Sequence, residues 1–332
     1  MKELIKRLVE TVGPSGYESA VRDLVRAEIG ALADDIRVDA MGNLIARKGV
    51  KSAEGLRVML SAHMDEIGVI ATHIDDNGFI RFTTIGGVRA FTCIGGRVQF
   101  LDGTKGLIFM DRQEAPDRLP SIEQLYIDVG APNRAACTVK VGDVAAFDRP
   151  FIDLNGRLVS KAMDDRISVA VMIEALRALK STPHEIYFVF STQEEVGLRG
   201  ATTSAYSIDP DVALSVDVTS VGDMPKSLKM EVSLGKGPTV KVRDSGMLSD
   251  PRVVRWMSET AEKAGIPYQL EVLEAGTTDA RAIQLSRAGV PVGCMSIPTR
   301  YIHSPSEMVD YNDVQQAVRL LVELVSAPIH LG

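Results

Sequence analysis

Four apolar runs of strand length end in chemically reactive side chains. The runs span residues 57–62, 184–192, 212–218 and 290–297, and they lead to or contain His63, the pair Glu194 and Glu195, Asp217, and a loop with His303. Segments with helical periodicity alternate with them, at residues 161–179, 249–264, 278–288 and 310–325. Such alternation is typical of an α/β domain, whose ligand sites lie at the carboxyl ends of the strands. The sequence therefore predicts an α/β fold with its site at one edge of the sheet.

The N-terminal segment has the same character. Residues 17–32 are predicted to form a helix, and Ser15 followed three residues later by Glu18 is typical of a capping box. Strand-like runs follow at 36–39 and 43–47. The first ten residues alternate charged and apolar side chains, which indicates an amphipathic helix rather than a signal peptide. Ser249 and Asp310 are expected to cap the later helices.

The texture changes between these two parts of the chain. From residue 68 to 159, short β-rich runs such as 69–74 and 79–84 are separated by glycine pairs and Asp-Gly or Asn-Gly turns. This pattern predicts a small all-β domain. We therefore expect one discontinuous α/β domain, residues 1–66 and 161–332, interrupted by an inserted β domain at residues 67–160.

Charge and composition exclude several classes of protein. With 37 basic against 44 acidic residues the formal net charge is −7, the wrong sign for a dedicated nucleic-acid-binding protein. No apolar stretch approaches the roughly 18 residues that a membrane span needs. The three cysteines are widely spaced, so neither a disulfide framework nor a thiolate zinc site is indicated. We expect a cytoplasmic protein without nucleic-acid or membrane partners.

Each reactive segment has two interpretations. His63 with Asp65 is typical of a metal-ligating imidazole held by a carboxylate, or of a structural histidine at a domain junction. Asp164 lies in a Met-Asp-Asp-Arg segment at a helix start, where acidic residues are also ordinary. Glu194 and Glu195 would raise each other's pKa unless a cation intervenes, although they could lie in a solvated loop.

The combination favours the chemical interpretation. Asp217 ends an apolar strand, where a charge is costly unless it is paired or metal-bound, and His303 follows another such strand. Two histidines and four carboxylates at neighbouring strand or helix ends suit a hydrolytic site with two zinc or two cobalt ions. The other three histidines, His73, His184 and His330, are expected to be structural or solvated.

At this point the sequence resembles a known family, the M42 metallo-aminopeptidases, over essentially the whole chain. The resemblance rests on G-P-S-G-Y-E at 13–18, S-A-H-M-D-E-I-G at 61–68, M-D-D-R at 163–166, Q-E-E-V-G-L-R-G-A at 193–201 and R-Y-I-H-S at 300–304. It implies a mixed sheet flanked by helices, as in zinc peptidases, and a barrel-like inserted domain. It further implies that this inserted domain serves dimerisation and the assembly of a larger oligomer, often a tetrahedral dodecamer.

The resemblance also implies a role for each site residue. Asp164 would bridge two metal ions, with His63 and Asp217 completing one ligand set and Glu195 and His303 the other. Glu194 would be the general base, and Asp65 would orient His63. Gly276-Thr277-Thr278-Asp279 is similar to a family segment near the substrate pocket, but Thr278 is equally suited to cap a helix, so this segment stays outside the predicted catalytic set.

The predicted function is a cytoplasmic aminopeptidase that removes N-terminal residues from short peptides with two divalent ions, zinc or cobalt before manganese. A metal-dependent deacylase on the same fold is the nearest alternative. A glycoside hydrolase also uses paired carboxylates but has no general need for two histidines, and the chain has one Trp and 5% aromatic residues for stacking on sugars. A catalytically silent assembly protein is a third class.

Overall fold

The computed structural model describes residues 1–112 and 119–332. Its N-terminal part contains α1 (Lys2–Glu10), α2 (Ser19–Ile29), β1 (Asp35–Val38), β2 (Leu44–Lys48) and β3 (Arg57–His63). Helix α1 is amphipathic as predicted and buries Leu4, Ile5, Leu8 and Val9. The predicted capping box is wrong, because α2 begins at Ser19 with Glu18 as its N-cap residue. The Ser15 hydroxyl instead donates a hydrogen bond to Asp65.

The inserted β domain is a closed six-stranded barrel. It consists of β4 (Gly68–Ile74), β5 (Ile80–Ile85), the short α3 (Ala90–Cys93), β6 (Arg97–Phe100), β7 (Lys105–Met110), β8 (Leu125–Asp128) and β9 (Val144–Phe147), with the strands in the order β4-β5-β8-β7-β6-β9. The barrel has its own apolar core, which includes Ile80, Phe82, Phe100 and Ile127. Residues 113–118 of the predicted β domain lie outside the described residues.

The chain then returns to the large domain. Its elements are β10 (Ile152–Leu154), β11 (Arg157–Ser160), α4 (Met163–Ala178), β12 (Glu185–Ser191), α5 (Arg199–Ile208), β13 (Val212–Thr219), β14 (Thr239–Arg243), α6 (Pro251–Lys263), β15 (Gln269–Val272), α7 (Asp279–Gln284), β16 (Val292–Arg300), β17 (Glu307–Asp310) and α8 (Tyr311–Ser326). The predicted boundary at residue 160 lies too late, because β10 and β11 continue the large sheet through β17 rather than the barrel.

The large sheet has eleven strands and is mixed. Its main path is β1-β2-β12-β3-β13-β16-β17-β11-β10, and β14 pairs with β15 and β16. The four central strands β12, β3, β13 and β16 are parallel, so their carboxyl ends meet at one edge. Helices α1, α2, α4, α6 and α8 pack in the larger core and α5 and α7 in a second core. The predicted α/β class with an inserted β domain is confirmed.

Several local predictions need correction. Asp250, not Ser249, caps α6, because its carboxylate accepts the Arg252 N–H while the Ser249 hydroxyl donates to the Lys241 carbonyl. Helix α7 ends at Gln284 rather than near residue 288, since the following chain closes into tight turns. The sequence patterns did not predict helix α5 or strands β14 and β17. Asp310 caps α8 as expected. Within the described ranges, no helix combines the length and apolarity that crossing a bilayer requires.

Candidate metal centre

The side chains predicted from the strand ends converge in one cavity. His63 ends β3, Glu194 and Glu195 follow β12, and Asp217 lies near the end of the adjacent β13. Asp164 enters from the start of α4, and His303 comes from the loop after β16. All six line a cavity of about 1070 Å³. The parallel central strands therefore bring together residues that lie up to 240 positions apart in sequence.

Asp164 lies at the centre of this group. Its Oδ1 is 3.1 Å from His63 Nε2, and its Oδ2 is 3.4 Å from His303 Nε2. The same His303 nitrogen is 3.2 Å from Glu195 Oε2. Asp164 lies at the start of α4, where the backbone is not yet helical. Its carboxylate is therefore separate from the regular helical turns that follow. One carboxylate thus faces two imidazoles, with one oxygen toward each.

Among the described residues, two groups of side chains have donor atoms close enough to hold a metal ion. His63, Asp164 and Glu195 form one, and His63, Asp165 and Asp217 form the other, with the atoms of each group within 4.8 Å of one another. Asp165 is not among the predicted ligands. Its Oδ2 accepts the backbone N–H of His63 at 3.3 Å, whereas its buried Oδ1 has no hydrogen-bond partner among the described residues.

Asp65 holds both His63 and the loop with the two glutamates. The Nδ1 atom of His63 lies 3.1 Å from the Asp65 carbonyl and 3.3 Å from its Oδ1. The Asp65 carboxylate also accepts the backbone N–H groups of Glu194 at 3.0 Å and Glu195 at 3.1 Å, and the Ser15 hydroxyl at 2.6 Å. A buried carboxylate that accepts several hydrogen bonds is stabilised in its charged form. Asp65 therefore fixes more of the site than the predicted orientation of one imidazole.

Burial and charge crowding act on the acidic side chains. Burial raises the pKa of Glu194 well above its usual range, and the charges of Asp217 and Glu195 raise it further against the opposing effect of His63. Burial likewise raises the pKa of Asp217 to about 8. Burial alone would lower the pKa of His303, but hydrogen bonds with Asp164 and Glu195 raise it to about 11. Buried carboxylates outnumber the cations here, so the site favours the binding of positive charge.

The donor set fits divalent metal ions. Imidazole nitrogens and carboxylate oxygens are ligands that zinc, cobalt and manganese share. The Glu195 side chain is 4% exposed, and its buried Oε1 has no hydrogen-bond partner among the described residues, although its Oε2 contacts His303. Unpaired buried carboxylate oxygens are costly unless a cation satisfies them. Asp165 and Glu195 each present one such oxygen in or beside the two candidate groups.

Glu307 is a site residue that the sequence did not indicate. It is buried in β17, and its two oxygens accept the backbone N–H groups of Asp164 and His303, each at 2.9 Å. A single carboxylate thereby joins the start of α4 to the loop that bears His303. The only available signal was its spacing of four residues from His303, which is too weak to distinguish Glu307 from a solvated acidic residue.

The remaining histidines lie outside the cluster. His184 is buried, with its Nδ1 accepting the Leu56 N–H at 3.0 Å and its Nε2 lying 2.9 Å from the Ala327 carbonyl. His73 and His330 are exposed. Thr278 caps α7 by accepting the Ala280 N–H at 3.3 Å and also lines the cavity, so both interpretations of its segment apply.

Comparisons with known proteins agree with this geometry. The family model described as M42 glutamyl aminopeptidase matches residues 42–320. A protein of Acetivibrio thermocellus is 46% identical over 327 residues, which is 98% of each chain. The structure of an aminopeptidase from the archaeon Desulfurococcus kamchatkensis superposes with a TM-score of 0.93 at 41% identity, covering 98% of this chain and 94% of the other.

A further solved structure is described as the Pyrococcus horikoshii TET1 peptidase, which can assemble into a tetrahedron or a large octahedral shell. It has a TM-score of 0.89 at 33% identity and covers 98% of both chains. Fold, site and relatives together define the class of the protein, which is a peptidase, a hydrolase of peptide bonds. The chain belongs to the M42 glutamyl aminopeptidase family, as its motifs predicted.

Proposed function

We propose that the chain is an aminopeptidase that works with two divalent metal ions. The observation that carries the proposal is the position of Asp164, whose two carboxylate oxygens face His63 and His303 separately. His63 and Asp217 would complete one ligand set, and Glu195 and His303 the other. When bound, such ions polarise the scissile carbonyl and lower the pKa of water.

Glu194 would act as the general base. Its Oε2 lies 4.0 Å from His63 Nε2, on the wall of the cavity, and its backbone is held by Asp65. Its carboxylate would accept a proton from the attacking water as the new carbon–oxygen bond forms. It would return that proton to the leaving amine as the carbon–nitrogen bond breaks. Burial raises the pKa of Glu194, which makes its carboxylate a stronger base for the first transfer.

The barrel would supply the contact between copies of the chain. Phe91, Leu107 and Phe109 are large apolar side chains of the barrel that are about half exposed. Leu107 and Phe109 alternate with buried residues on β7 and therefore share its exposed face. Neighbouring exposed apolar residues of this kind are typical of an association surface. The self-assembly of the TET1 peptidase supports a dimer that builds a larger shell, here proposed to be a dodecamer working in the cytoplasm.

A single assay separates this function from its alternatives. Protein reconstituted with zinc or cobalt is tested on p-nitroanilides of several amino acids, including glutamyl, lysyl and leucyl, and on N-acetyl amino acids and carboxymethylcellulose. We expect release of p-nitroaniline from at least one free aminoacyl anilide and none from its N-acetylated form. Cleavage of N-acetyl amino acids or carboxymethylcellulose without anilide cleavage would contradict the proposal and favour a deacylase or a glycoside hydrolase.

A further inference from the structure

A buried carboxylate outside the proposed ligand set joins two strands of the site. Asp279 is the first residue of α7 and is 1% exposed. Its Oδ2 accepts the hydroxyl groups of Ser61 and Ser191, each at 2.6 Å. Ser61 lies on β3 two residues before His63, and Ser191 ends β12 three residues before Glu194. One oxygen therefore contacts both strands just before each reaches the site.

The sheet register makes this contact specific. Strands β3 and β12 are parallel neighbours, and His63 is opposite Ser191 in the register. Side chains two positions apart on a strand share a face, so Ser61 and His63 lie on the same side of β3. A displacement of either serine is therefore expected to move His63 or the loop that begins with Thr192.

Helix capping does not explain the carboxylate. Thr278 already caps α7 by accepting the Ala280 N–H, so Asp279 is not needed as a cap. Burying a carboxylate is costly, and burial raises the pKa of Asp279 although both serine hydrogen bonds oppose the rise. Its Oδ1 is buried without a hydrogen-bond partner among the described residues. An apolar residue at this position would avoid this cost. The two hydrogen bonds with the serines are what the carboxylate provides instead.

The same helix forms part of the cavity wall. Thr278, Arg281 and Ala282 line the cavity that contains the metal-ligand cluster. Asp279 thus connects this part of the cavity wall to the two strands that bear His63 and the Glu194 loop. Its charge-assisted hydrogen bonds are of the stronger kind, which suits a connection that must hold a geometry.

We propose that Asp279 is a positioning residue for hydrolysis and that it acts through Ser61 and Ser191. It keeps the imidazole of His63 and the carboxylate of Glu194 at their mutual distance while the adjacent wall binds substrate. The proposal rests on the proposed function, since it concerns the same reaction.

The test compares the kinetics of a set of variants. Asp279→Ala is expected to lower kcat about 10- to 100-fold, the usual cost of losing a residue that orients metal ligands, with little change in KM. Asp279→Asn keeps an acceptor oxygen for the serines and should recover most of that loss. Ser61→Ala and Ser191→Ala should each lower kcat by less than Asp279→Ala. Adding both serine changes to Asp279→Ala should cause no further loss, because the residues act as one unit.

The matched control is Ser286→Ala. Ser286 is a buried serine just after α7 whose hydroxyl has no hydrogen-bond partner among the described residues, so kcat should be unchanged. If Asp279→Ala does not fold, the Ser61→Ala/Ser191→Ala double variant carries the test and should lower kcat at constant KM. Wild-type kcat in Asp279→Ala or in that double variant, equal losses in the Asn and Ala variants, or additive losses would overturn the proposal. Failure of the wild-type chain to cleave any anilide would instead overturn the proposed function.

Discussion

The two sides of Asp164 differ in how firmly the fold holds them. The His63 side chain is 2% exposed, ends a central strand and is flanked by Asp65 and Asp165. The His303 side chain is 31% exposed and comes from a loop, with a backbone φ of 60° that is uncommon for a residue other than glycine. We call His63 with Asp217 the inner half of the site, and His303 with Glu195 the outer half. The inner half is formed by the sheet, whereas the outer half depends on a loop and its anchors.

The barrel lies close to the outer half. A Cβ atom placed on Gly87 would lie 2.4 Å from His303 Nδ1, and one on Gly86 would lie 3.1 Å from Glu195 Oε2. Both glycines follow β5 of the barrel. Their small size lets the barrel approach His303 and Glu195 closely. The outer half is therefore where a displacement of the inserted domain would reach the site.

Asp164→Ala should have the largest effect, because it removes the residue that both halves share. We expect metal content to fall from two ions per chain to none and activity to fall to background. Elemental analysis after dialysis measures the metal directly. Asp23→Ala, a change of an exposed aspartate, is the control. Retention of two ions by Asp164→Ala would remove the basis for a bridging carboxylate.

Glu194→Gln should leave both halves intact and remove only proton transfer. We expect full metal content and a loss of kcat of about 10²- to 10⁴-fold, the usual contribution of a general acid–base group. Parallel measurements of metal content and anilide cleavage check this. Normal turnover in this variant would show that another group acts as the base.

Gly87→Ala should affect the outer half and spare the inner one. The added methyl group would displace the His303 imidazole, because the distance available is 2.4 Å. We expect one ion to be lost or its affinity to fall about 10- to 100-fold, while the second ion stays bound. Competitive titration with a zinc-sensitive dye measures both affinities. Equal weakening of both ions would contradict the independence of the halves.

Glu307→Gln should weaken the outer half by a different route. The Glu307 side chain accepts two backbone N–H groups, and a glutamine offers only one acceptor oxygen. One of the two contacts must therefore be lost. We expect weaker binding of the outer ion and a lower kcat, each by about 10-fold. This effect is smaller than the one expected for Gly87→Ala. A variant with wild-type affinity for both ions would show that the His303 loop does not need this anchor.

The smallest effect concerns the stability of metal-free protein. Asp217 with a pKa of about 8 and His303 with a pKa of about 11 hold protons in the folded state that the unfolded chain releases. Their stabilising contribution is present below the unfolded pKa values and is lost as pH rises toward the folded ones. Burial lowers the pKa of His184, so this one group makes the folded state more stable as pH rises and partly offsets the other two. The Tm of protein dialysed against chelator should therefore fall from pH 5 to pH 8, and a rise would contradict the assignment.

The inner half was the more predictable from sequence. His63, Glu194 and Asp217 each follow or end an apolar run, and parallel strands bring such ends together by topology alone. Asp164 at a helix start and His303 after a strand were weaker candidates on their own, and the family resemblance supplied their roles. Their roles as ligands stay predictions, although the structure places them together.

The anchors of the site were not predictable for a physical reason. Ser15 has the spacing of a helix cap but donates to Asp65, because the tertiary contact replaces the local one. Glu307 and Gly87 act on residues from other elements or the other domain, and their sequence surroundings show no pattern. Asp279 was left outside the catalytic set because Thr278 beside it is equally suited to cap a helix. Its contacts to Ser61 and Ser191 join residues 218 and 88 positions away, so no local pattern could indicate them.

The most direct test is isothermal titration calorimetry, in which zinc is added to metal-free wild-type protein and to metal-free His303→Ala. The inequality of the two halves predicts two ions bound with different affinities in the wild-type chain and one ion, the tighter, in the variant. Two ions of equal affinity, or loss of the tighter ion in His303→Ala, would contradict a firm inner half and a loop-borne outer half around Asp164.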